Sequence, residues 1–180
     1  KTPIVPTFTF QANLADFGES IGASEDYRNI FRKEIEENSQ ILKGIHDAGV
    51  PLLCGTESGF SMTPYGEWHY RELEVFVKDI GMSNMDSIVC ATKNASKSIK
   101  MEGKVGTIEK GMLADILVVD GNPLDDITVL GDKSKLSHII LNGNEVDQNK
   151  PTKEIIPPQG WRLSPYSNQI LTQKIANIEN

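Results

Sequence analysis

A chain of 180 residues with 18 Lys and Arg against 25 Asp and Glu carries a net charge of −7, and is long enough to bury a real core as one domain with at most a small appendage. The acidic balance, with no basic cluster interleaved with aromatics, excludes nucleic acid and an anionic membrane surface as partners. No apolar run is long enough to span a bilayer and no signal peptide is visible; Cys54, in an apolar run, and Cys90, on a helical pattern, make neither a disulfide framework nor a CxxC metal site.

These features set the expectation of a reducing, cytoplasmic setting. Lys1 is not a natural start, so sequence upstream is expected as well.

Ile4 to Phe10 is rich in β-branched and aromatic residues and predicts a first strand, with Pro6 confined to an end, an edge or a bulge. Gln11 to Gly22 is expected to be a loop. From Ser24, the apolar positions Tyr27, Ile30, Phe31, Ile35, Ile41, Leu42, Ile45 and Ala48 recur at helical spacing, with Glu25 and Asp26 at the amino end and Gly49 past the last turn. A buried strand, Val50 to Cys54, comes next almost without a loop, so the succession is strand, helix, strand: the unit of a parallel sheet.

Glycines bracket that apolar run, and Glu57 closes it. Polar groups that act on ligands in α/β folds stand at the carboxyl ends of strands, which makes Glu57 the first residue to suspect of chemistry. The plainer alternative is a turn carboxylate that caps the next segment. Ser58 to Gly66 is a polar, glycine-bearing loop of the kind that lines such sites.

Glu67 to Ile80 places His69, Leu73, Phe76, Val77 and Ile80 on one helical face, ended by Gly81. Another helix starts at Ser83, whose spacing to Asp86 resembles a capping box, and is expected to break near Asn94. Val105 to Ile108, Ala114 to Val119 and Leu136 to Leu141 predict strands, and Asn142-Gly143 predicts a tight hairpin back to Glu145-Val146. Beyond Gln148 the expectation is an extended tail that docks or frays and ends in a short helix.

Taken together, Ala48 to Gly59, His69 with Glu72-Leu73, Ala91 to Ala95, Gly106 to Asp120, Asn122-Pro123-Leu124 and Asp126-Ile127 resemble the carboxyl-terminal part of the amidohydrolase superfamily, nearest its imidazolonepropionase-like and prolidase-like members. The resemblance implies an α/β fold: residues 1–103 supply the last two strands, with their helices, of a (β/α)8 TIM-type barrel, residues 104–147 a small β-sandwich section, and 148–180 the tail. It implies a metal-dependent hydrolase of C–N bonds acting on a small molecule such as a dipeptide, an amide or a cyclic amide. One or two divalent metals, commonly zinc, polarise the carbonyl and activate a water in such enzymes, and an acid at the end of the eighth strand passes the water's proton to the leaving nitrogen.

Glu57 falls on that acid position and is also the candidate metal ligand. The family acid is Asp, so Glu57 reaches about a bond length further, a displacement that can cost about a hundredfold in rate. His69 and Ser58 fall on the substrate side. The family's His-x-His and its other metal ligands have no counterpart here, and His46 and His138 stand at no strand end. The chain alone is therefore expected to be inactive, to hold a metal weakly or not at all, and to associate with itself or with the missing barrel segment. Two other readings stand beside this one: a truncated, non-catalytic binding or assembly module, and a nucleophilic role for Cys54 or Ser58, neither of which has an adjacent base in the sequence.

Overall fold

The computed structural model describes residues 1–150 and 169–178. Its order is α1 (Thr9–Phe17), α2 (Glu25–Asp47), α3 (His69–Val75), α4 (Asn84–Val89), α5 (Ala95–Ser98), then β1 (Ile116–Val119), β2 (Leu136–Leu141) and β3 (Asn144–Glu145). Helices thus precede a small antiparallel sheet of order β1-β2-β3. Among the described residues no helix is long and apolar enough to cross a membrane.

The parallel pair expected at the start is present in a reduced form. Ile4 and Leu52 make a parallel bridge, in which the Ile4 N–H donates to Pro51 O at 3.0 Å and the Leu53 N–H to Ile4 O at 2.9 Å. The expected strand Ile4 to Phe10 and the loop Gln11 to Gly22 are corrected: Thr9–Phe17 is helical and a 3-10 turn, Gly18–Ile21, comes after it. Pro6 has no N–H to extend a ladder, and the chain leaves the strand through Thr7, whose φ is +59°. The Glu72 carboxylate of α3 then accepts from the Phe8 and Thr9 N–H groups, which fixes the helical start.

The helix expected from Ser24 is α2. Ser24 is extended and its hydroxyl accepts from the Tyr27 N–H, as an N-cap should. Ile35 and Leu42 are buried, whereas Ile30 and Ile41, counted in the same periodic set, are exposed. Of the expected Ser83–Asp86 capping box the Ser83 N-cap forms, with the Asp86 N–H donating to Ser83 Oγ at 3.0 Å, while the Asp86 carboxylate accepts from Ser83 Oγ at 2.6 Å. That helix does not break at Asn94: a π-helical turn, Cys90–Asn94, carries it into α5. A similar π turn, Phe76–Ile80, extends α3 to Gly81, which ends it at φ +82°.

In the β section, Val105 to Ile108 is turn rather than strand, while Ile116–Val119 and Leu136–Leu141 pair with Ile116 opposite Ile140 and Val118 opposite His138. Asn142 at φ +49° and Gly143 at φ +76° make the left-handed two-residue hairpin that their sequence predicts. The 3-10 turn Ile127–Gly131 packs on α3. Gly131 permits this approach, because a Cβ there would fall 2.3 Å from the Tyr70 ring.

Two apolar clusters hold these parts. One joins α1, α2 and α3 through Phe8, Ala12, Ile35, Leu42, Leu52 and Phe76; the other gathers Leu14, Ile21, Met62, Trp68 and Leu171. Of the expected tail, Trp161 and Leu163 lie outside the described residues. The segment 169–178 docks: Leu171 is fully buried, its N–H donates to Ser61 O, and its carbonyl accepts from the Trp68 indole N–H, both at 2.7 Å. Leu171→Ala is therefore expected to cost about 2–5 kcal/mol, against little for Leu141→Ala on the exposed end of β2, as read by urea unfolding of the two variants.

Candidate active-site rim

The segment after Leu53 carries the candidate residues around one end of the parallel pair. Glu57 is exposed and adopts φ +46°, a left-handed conformation uncommon for a side chain larger than glycine. Its carbonyl accepts from Thr63 Oγ1 at 3.0 Å, and the Gly59 N–H donates to Thr63 O at 2.8 Å, so the turn is pinned on both sides. A strained residue held by its surroundings at a strand end is a recurring feature of functional sites.

Turning the chain at Glu57 brings Thr56 and Ser58 together, with their hydroxyls 2.7 Å apart. Both lie 3.3 Å from His69 Nδ1, at the first turn of α3. The other ring nitrogen, Nε2, accepts from the Gly66 N–H at 3.2 Å, which assigns the imidazole proton to Nδ1. His69 then donates to the two hydroxyls and has no lone pair left for a metal. Burial of the ring lowers its pKa below the usual histidine value, and a cationic ring would also turn an N–H against the Gly66 N–H.

This geometry revises the nucleophile reading. Ser58 does have a neighbouring imidazole, which the sequence spacing did not disclose, but that imidazole faces it with a proton and cannot act as its base. Cys54 is held as a thiol, because burial, with the nearby Glu72 carboxylate adding to it, pushes its pKa far above the ordinary range. Cys90 is pushed up to about 11, chiefly by burial. Both cysteines are free thiols.

A cavity of about 610 Å³ opens beside this rim, lined by Thr56, His69 and Leu73 on one side and by Ile88, Thr107 and Ile116 on the other. Neither Glu57 nor Ser58 lines it. Among the described residues no three His, Cys, Asp or Glu side chains converge on a point where a metal could sit. These described residues alone do not make a metal centre. His46 lies in the last turn of α2, and His138 pairs through Nδ1 with Glu145 at 2.6 Å on the hairpin.

A family model of the amidohydrolase family matches residues 13–146, which is most of the chain and runs from α1 to the end of the sheet. The chain belongs to the amidohydrolase family. It is 30% identical over 109 residues to the ochratoxinase of Aspergillus niger, covering 60% of this chain and 22% of that protein. Among solved structures it resembles a Xaa-Pro dipeptidase with methionine bound in the active site, at 30% identity and a TM-score of 0.64, over 81% of this chain and 34% of that one. A prolidase complexed with N-methylphosphonate-L-proline matches at 27% identity and a TM-score of 0.61, over 79% and 34%. The chain thus spans about a fifth of the length of that curated relative and about a third of these solved structures. Its α/β architecture is a partial amidohydrolase fold.

One residue at this rim carries a charge-bearing group that spacing did not single out for a role. Glu72 is fully buried; its Oε1 accepts from the Phe8 N–H at 2.9 Å, and its Oε2 from the Thr9 N–H and hydroxyl, each at 2.8 Å. Burial pushes its pKa up to about 7 although these donors pull it down. A carboxyl whose folded pKa is raised binds more protons folded than unfolded, so its contribution to stability is fully present below about 4.5 and is lost as pH rises to about 7. Urea unfolding across that window is expected to show wild-type stability falling relative to Glu72→Gln, whose curve lacks this slope.

Proposed function

We propose that this chain is the carboxyl-terminal portion of a metal-dependent hydrolase of C–N bonds, and that Glu57 is its acid/base carboxylate. Glu57 takes the proton of the attacking water and returns it to the leaving nitrogen. A divalent metal bound in the intact enzyme, with zinc the first candidate, would supply the activated water; Glu57 would give it one carboxylate, beside ligands from the rest of the barrel. His69 and Ser58 stand on the substrate side, His69 as a neutral donor that fixes the Thr56–Ser58 pair.

The observation that carries this reading is the left-handed, pinned Glu57 at the carboxyl end of the segment paired in parallel with Ile4. The likenesses to a prolidase and a Xaa-Pro dipeptidase favour a dipeptide as substrate over a cyclic amide. Exposed apolar side chains such as Phe60, Ile99 and Ile108 fit a chain that meets the remaining barrel, or a second copy of itself. The alternative, a non-catalytic binding or assembly module, draws on the lack of a converged metal cluster among the described residues.

The coding sequence upstream of Lys1 discriminates the two: an in-frame His-x-His supports the hydrolase, and an upstream reading frame without it favours the module. In a protein carrying the remaining strands, Glu57→Gln is expected to lower kcat on Xaa-Pro dipeptides by about a hundredfold or more while KM changes little. An unchanged kcat would remove Glu57 from the chemistry.

A further inference from the structure

The Glu72 carboxylate takes no part in the proposed hydrolysis, and its surroundings show what it is for. Helix α1 starts without a cap of its own: Phe8 at the N-cap has no oxygen to offer, and no side chain of the α1 segment caps the turn. The cap comes from α3, 63 and 64 residues away, through three donors that converge on both Glu72 oxygens. Thr9 is itself fully buried, so its hydroxyl has no water to turn to.

Just before this cap the chain passes through Thr7 at φ +59°, with the Thr7 hydroxyl donating to Pro6 O at 2.7 Å. The Pro6–Thr9 turn therefore leaves the parallel pair in one fixed direction. On the Glu72 side, the same first turn of α3 carries His69, three residues earlier on the same helical face, where it holds Thr56 and Ser58. The neighbouring Arg71 does not neutralise Glu72, because it is committed to Asn13, Asp16 and Glu74. An apolar side chain in this place would fill the space at lower desolvation cost, but it could not direct three donors.

We propose that Glu72 is a positioning residue for the rim: its carboxylate locks the Pro6–Thr9 turn to the α3 turn that orients Thr56, Ser58 and His69, so that the two strand ends hold one geometry. The functional value of that lock rests on the reading of the rim as the active site, whereas the lock itself is a property of this chain and is tested without any activity.

The test uses nuclear magnetic resonance on the isotope-labelled 180-residue chain, at a pH well above the Glu72 titration. In the wild type, scalar couplings across the hydrogen bonds are expected from the Phe8 and Thr9 amides to the Glu72 side-chain carboxyl carbon. Thr9→Val removes one donor at nearly constant volume. It is expected to speed exchange of the Phe8 amide about tenfold and to shift the His69 ring-nitrogen, Thr56 and Ser58 signals, none of which Thr9 touches.

Thr9→Ser restores the hydroxyl and is expected to return those signals to their wild-type positions. Ser87→Ala, which removes a different buried hydroxyl bonded to Leu73 O at 3.1 Å, serves as the control and is expected to leave them unmoved. The proposal is overturned if the wild-type couplings are absent, if Thr9→Val leaves the His69, Thr56 and Ser58 signals in place, or if Ser87→Ala moves them as much. Loss of hydrolysis by the intact protein would bear on Glu57 and leave the lock standing.

Discussion

The hydrogen bonds from Phe8 and Thr9 to a buried carboxylate on α3 are the constraint on which the rest of this chain turns. They do at once what two separate devices would otherwise do: they start α1 where no local cap exists, and they tie it to the helix turn that carries His69. A charged group so deeply buried is costly in isolation. Here both oxygens are satisfied, and the cost is expressed as a raised pKa rather than as an unpaired charge.

Helix α3 is consequently the hub of the molecule. Its inner face leads to Phe76 in one apolar cluster, while Trp68 at its start anchors the other and holds Leu171 through the indole N–H. Tyr70 lies over Gly131, which fastens the β section to the same helix. Arg71 is sandwiched between Phe17 and two carboxylates, joining α1 again from the opposite side. His69, which bonds to Thr56 and Ser58 of the rim, is therefore carried by an element tethered on several sides, as a preorganised site requires.

How much the sequence disclosed depends on the range of the forces involved. Helix α2, the Ser83 cap and the Asn142-Gly143 hairpin are fixed by residues within four positions of one another, and each forms as expected. Helix α1 is not legible locally, because its decisive partner Glu72 lies 63 positions downstream of Thr9; the β-branched and aromatic run before it points to a strand. The π turns through Phe76–Ile80 and Cys90–Asn94 have no local signature; the first ends at Gly81 as the sequence indicates, whereas the second carries its helix past the expected break at Asn94. For the rim, the run ending in Glu57 is legible from its glycines and its apolar core, but the imidazole beside Ser58 is not, since it depends on how α3 docks.

At the centre of the proposal stands Glu57 as the catalytic carboxylate, and among the described residues no three His, Cys, Asp or Glu side chains converge around it. The most direct measurement is the divalent-metal content of the purified 180-residue chain after incubation with zinc and removal of the excess, taken with its oligomeric state on the same sample. The expected result is metal far below one ion per chain, unchanged by Glu57→Gln. Near-stoichiometric metal that is lost in Glu57→Gln would contradict that role, and would mean that one or more copies of this chain assemble a centre by themselves.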